Sequence, residues 1–89
     1  MARQIKLNGR EQSMMRAIGF GLGITGAEVL ERMAMIPDEL VDVLNSLIEI
    51  GYLETPSMKE RVSVADFATE TFEINPSYAS DLKEALKRH

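Results

Sequence analysis

From Leu40 onward the apolar residues fall at Leu40, Val43, Leu44, Leu47 and Ile48, a spacing of three and four that draws one stripe along an α-helix. Pro37 suits the first helical position, Asp38 and Glu39 sit beside the positive end of the helix dipole, and Gly51 can take the left-handed conformation that ends a helix. The pattern therefore predicts a helix from Pro37 to about Ile50. Upstream, Asn8 followed by Glu11 has the spacing of a capping box and opens a helix from about Gly9 to Ile18. Its expected inward residues are Met14, Ala17 and Ile18, with Met15 at the edge. Phe20, Leu22 and Ile24 then alternate among four glycines, too many for a stable helix, in the manner of a short half-buried strand. Thr25 and Glu28 repeat the capping spacing and predict a second helix from Gly26 to about Met33, burying Ala27, Val29 or Leu30, and Met33. Ala34, Met35 and Ile36 turn the chain into the long helix.

After Gly51, Tyr52 and Leu53 begin a strand that Pro56 ends or confines to an edge. Val62 and Val64 alternate, so the stretch as far as Phe67 reads as a strand, an irregular loop or a helical turn. Thr69 to Ile74 alternates more cleanly, with Phe72 and Ile74 on one face. Asn75, Pro76 and Ser77 form a turn and cap, and a last helix from about Ser77 to Lys87 buries Tyr78, Leu82, Ala85 and Leu86. Met1 to Leu7 is a polar, basic lead-in that frays or pairs.

Composition narrows the classes. At 89 residues the expectation is one domain, 1–89, with a modest core, a binding module more naturally than a multi-step enzyme. The absence of cysteine excludes a disulfide framework, a thiolate zinc cluster and a thiol nucleophile. No apolar run approaches the roughly 18 residues of a membrane span and no leader-like series stands at the start, so a cytoplasmic protein without membrane contact is expected. The formal charge is -4, unevenly distributed. Arg3, Lys6, Arg10 and Arg16 stand against Glu11 alone in residues 1–18, whereas Arg32 stands alone against Glu28, Glu31, Asp38, Glu39, Asp42, Glu49 and Glu54 in residues 19–54. The acidic block falls on the long helix and its approach.

Gly21, Gly23 and Gly26 spell the dinucleotide fingerprint G-x-G-x-x-G, and Asp42 follows at about the ribose-binding distance. Asp42 lies inside a predicted helix, however, and no βαβ unit fits, so the glycines read as a connector. His89 is the only histidine, which leaves a histidine dyad or metal cluster without a second member. Asp38 and Asp42, one helical turn apart, read as solvated acids before a cation site. No catalytic residue, metal or cofactor is therefore expected. Met33 and Met35 read as core filler, with an adaptable partner surface as the alternative.

The order helix, short strand, helix, turn, helix, two strands and helix is similar to the winged helix-turn-helix domains of small bacterial and archaeal regulators such as the MarR and ArsR families. The residues that carry the resemblance are Thr25-Gly26-Ala27-Glu28-Val29-Leu30, the triplet Leu40, Leu44 and Leu47, the exit Gly51-Tyr52-Leu53, and Phe72-Glu73-Ile74-Asn75-Pro76. It implies an α+β fold: a three-helix core, a short first strand, a two-stranded wing and a C-terminal helix.

In DNA-binding members the outer face of the third helix enters the major groove while the wing touches phosphates. The corresponding outward positions here are Asp38, Glu39, Val41, Asp42 and Asn45, and no lysine or arginine occurs from Ile36 to Leu53. One carboxylate about 6 Å from a phosphate costs on the order of 0.7–1.4 kcal/mol at an effective dielectric of about 40–80. Three would offset much of the attraction behind non-specific binding. Two functions follow. One is transcriptional regulation through DNA contact by Arg10, Arg16, Thr25, Asn45, Lys59 and Arg61; the other is a protein-interaction module docking through Asp38, Glu39 and Asp42. Apolar residues on the first and last helices add a homodimer as an expectation.

Overall fold

The computed structural model describes residues 5–87. It is an α+β fold of four helices and one small antiparallel sheet. In chain order the elements are α1 (Gly9–Ile18), β1 (Ile24–Thr25), α2 (Gly26–Arg32), α3 (Pro37–Ile50), β2 (Leu53–Glu54), a single 3-10 turn (Phe67–Thr69), β3 (Thr71–Ile74) and α4 (Ala79–Lys87). The sheet order is β1-β3-β2, with Ile24 opposite Phe72 and Leu53 opposite Ile74. β3 is thus the central strand, and Phe72 and Ile74 point from it into the core.

The helix ends follow from the local chemistry. Asn8 and Glu11 form a reciprocal capping box, each backbone N–H donating to the other's side-chain oxygen at 2.9 Å. Thr25 caps α2 by accepting from the Glu28 amide at 3.3 Å, but the Glu28 carboxylate turns to the Thr25 hydroxyl and to Arg32, so the box is only half formed. α3 begins at Pro37 and stops at Gly51, whose φ of 101° is open to glycine at little cost. Leu40, Leu44 and Leu47 are completely buried, and each side chain stabilises the fold by about 1.5–3 kcal/mol.

Several expectations shift. Leu22 is 95% exposed and the first strand shrinks to Ile24–Thr25. Ala27 is exposed, and Val29 is the residue α2 buries. Met15 is wholly buried rather than marginal. Ile5 and Leu7 join the core, so the described part of the lead-in packs instead of fraying; Met1 to Gln4 lie outside the described residues, as does His89. No strand forms around Val62 and Val64: Val62 is buried, Val64 is half exposed, and the chain runs irregularly to the 3-10 turn. On α3, Val43 and Ile48 are only partly buried, while Val41 and Asn45, expected outside, are buried. For Asn45 the cause is the segment after β2, which returns to the helix at Val62.

Candidate binding surface

The segment is fixed by one side chain. Asn45 Nδ2 donates to the Val62 carbonyl at 2.9 Å, and Asn45 Oδ1 accepts from the Val62 N–H at 2.8 Å. The amide thus replaces the neighbouring strand that Val62 lacks, satisfying both of its backbone polar groups in a buried place. Asn45, expected among the DNA contacts on the outer face of the helix, is 7% exposed and has both side-chain polar atoms engaged within the chain.

A second set of bonds closes the loop on itself. Lys59 Nζ lies 3.2 Å from Glu70 Oε2 and 3.4 Å from Asp66 Oδ2. The Ser57 hydroxyl donates to Glu70 at 2.7 Å, and the Ser63 amide donates to Asp66 at 2.7 Å. Thr55, itself buried, accepts the Lys59 amide on its hydroxyl at 3.0 Å. Hydrogen bonding to Glu70 and then Asp66 raises the Lys59 pKa above its ordinary value. The Ser63 amide, followed by Lys59, holds Asp66 below the usual carboxylate range, and the Ser57 hydroxyl, followed by Lys59, does the same for Glu70.

Most of the remaining candidate phosphate contacts have partners within the chain. Arg10 pairs with Glu39 at 3.5 Å across the gap between α1 and α3. Arg16 donates to the Leu86 carbonyl at 3.2 Å and ties α1 to the end of α4. The Thr25 hydroxyl is spent on its cap. Arg61 is exposed and has no partner among the described residues.

The acids do share a surface. Asp38, Asp42 and Glu49 fall on one side of α3 by its 3.6-residue period, are exposed, and make no ion pair among the described residues. Ser46 stands exposed beside them, its hydroxyl donating to the Asp42 carbonyl at 3.0 Å. Glu39, turned toward α1, is half-buried and engaged by Arg10. Of the three acids expected to dock a partner, Asp38 and Asp42 are therefore available, and Glu49 extends the row.

Two glycines of the G-x-G-x-x-G run serve packing. A Cβ on Gly23 would meet the Phe72 carbonyl oxygen at 2.7 Å, and one on Gly26 would collide with the Phe67 carbonyl oxygen. Gly26 N donates to the Glu70 carbonyl at 2.9 Å, so this helix start faces the protein's own backbone, not a phosphate. The apolar residues invoked for a homodimer are used inside the chain: Met14, Met15, Ile18, Leu82 and Ala85 are buried. Met33 and Met35 pack half-buried against the core. Among the described residues, no helix is long and apolar enough to cross a membrane. Compared with known proteins, the chain matches no family model, no curated protein and no solved structure.

Proposed function

We propose that this protein is a non-catalytic winged-helix binding module that docks a basic protein partner on the acidic outer face of α3. The fold reading is supported by the sequence of elements and by the β1-β3-β2 sheet order, in which the strand from the far side of the loop lies between the other two. The observation that carries the functional reading is the Asn45 clamp. By joining Val62 to α3, it takes Asn45 out of the helix's outer face and leaves the carboxylates of Asp38, Asp42 and Glu49 as what that face offers to a partner. Such a face repels the phosphates of a duplex and attracts lysine and arginine side chains.

Transcriptional control through direct DNA contact is the weaker reading. Of its six candidate residues, Asn45 is buried, Thr25 caps a helix, and Arg10, Arg16 and Lys59 have partners within the chain. Regulation through a protein partner remains compatible with the docking face. The test is calorimetric titration with an arginine-rich peptide, comparing the wild type with an Asp38→Asn, Asp42→Asn variant. Binding that weakens several-fold in the variant is expected; equal binding by both proteins would remove Asp38 and Asp42 from the contact.

A further inference from the structure

We propose that the groove between the C-terminal half of α3 and residues 54–61 receives a cationic, amphipathic segment of the partner protein; this rests on the protein-binding reading above and gives it a location. The groove has a volume of about 530 Å³. Ile48 and Met58 give it apolar walls, and Glu49, Glu54 and Glu60 line it with carboxylates against the single uncommitted cation Arg61. Lys59 also borders it, but its ammonium is held by Glu70 and Asp66. An occupant must therefore place lysine or arginine beside apolar side chains. The acidic row of α3 leads into the groove through Glu49.

Met58 makes the second half of the case. It is 79% exposed, and its φ of 57° is left-handed, the only such value for a non-glycine among the described residues. Two hydrogen bonds keep it there: its own amide donates to the Thr55 carbonyl at 2.9 Å, and the next amide donates to the Thr55 hydroxyl at 3.0 Å. A flexible thioether held outward by a pinned turn, on the rim of an acidic groove, suits an adaptable contact with the apolar side of a peptide. A cationic amphipathic helix laid in such a groove would use both surfaces at once.

The test is an amide-resolved NMR titration of the whole protein with an amphipathic Leu/Lys peptide of about four helical turns, with the Leu/Glu counterpart as control. Shifts are expected at Ile48, Glu49, Glu54 and residues 58–61 with the Leu/Lys peptide alone. A Glu49→Gln, Glu54→Gln, Glu60→Gln variant should bind it about tenfold more weakly and with less salt dependence. Met58→Gly, which removes the thioether while suiting the left-handed backbone, should weaken binding about fivefold without loss of fold. Shifts confined to the Asp38 and Asp42 side would overturn the groove proposal and leave the protein-binding reading standing. Absence of shifts at low salt would overturn both. Groove shifts that follow the protein's own concentration would identify a second copy as occupant and overturn the choice of a foreign partner.

Discussion

Asn45 grips Val62 with both ends of its side-chain amide, at 2.9 and 2.8 Å, across 17 residues of sequence. That grip ties the loop to α3 at Val62 and takes the Asn45 side chain out of the helix's exposed face. Asn45→Ala would leave the Val62 N–H and carbonyl without partners in a buried place, at a cost of about 2–3 kcal/mol. Urea denaturation should report that loss, and hydrogen exchange should report faster opening of residues 58–64 than of α1. Asn45→Asp should be worse at neutral pH, since it removes the donor to the Val62 carbonyl and buries a charge.

Gly26 and Phe67 are pressed together so closely that a methyl group on Gly26 has nowhere to go. Gly26→Ala should destabilise the protein by about 2–4 kcal/mol, because the obstacle is backbone and cannot rotate away. Gly21→Ala, at a position with open space around it, should change stability by less than about 1 kcal/mol. Thermal melts of the two variants separate a packing role for Gly26 from a general need for glycine in this run. Comparable losses in both would contradict the close-approach explanation.

The Lys59, Asp66 and Glu70 cluster gives the loop a defined pH window. Asp66 and Glu70 are shifted down from ordinary values of 3.8 and 4.5, so their contribution is complete above those values and is lost as pH falls through the lower folded ones. Lys59 is shifted up from 10.5, so its contribution is complete below that value and is lost as pH rises through the higher folded one. The loop should therefore be held fully between the two limits. Carboxyl titration by NMR should show Asp66 and Glu70 ionising at lower pH in the wild type than in Lys59→Met. Identical titration curves would contradict the pairing.

Met58 carries its left-handed backbone with little burial to offset it. Met58→Gly should therefore leave stability unchanged or raise it by up to about 1 kcal/mol, the relief of the conformation being partly offset by the freedom glycine has when unfolded. A loss of more than about 1 kcal/mol in chemical denaturation would show that the side chain supports the fold.

The helices were legible because their signals are local. Asn8 with Glu11, Pro37, and Gly51 each act within one turn of their own position, and the bounds of α1 and α3 follow from them. Phe72 and Ile74 were legible for the same reason, through strict alternation on a strand with one buried face. The outer face of α3 was not. By periodicity Asn45 belongs beside Asp38 and Asp42, and what buries it is a segment 17 residues further on with no regular pattern. Val62 and Val64 alternate like a strand, yet the partner of Val62 is a side chain, which leaves no trace in hydrophobic spacing. The pairing of Lys59 was not legible either, because Asp66 and Glu70, which flank the 3-10 turn, lie further along the chain in a stretch without regular spacing. The one available signal was compositional, the alternation of Lys59, Glu60, Arg61, Asp66 and Glu70 within a dozen residues.

The central claim is that α3 presents its acids to a protein and not to a duplex. Fluorescence anisotropy with a labelled mixed-sequence duplex, across a salt series from low ionic strength, tests it most directly, with Arg61→Glu beside the wild type. The expected result is no binding at tens of micromolar protein, a concentration within the range of about 10⁻⁴ to 10⁻⁶ M typical of non-specific affinity at physiological salt, an affinity that low salt tightens further. Binding that falls steeply with salt and is lost in Arg61→Glu would contradict the claim and return the loop to a phosphate-contacting role.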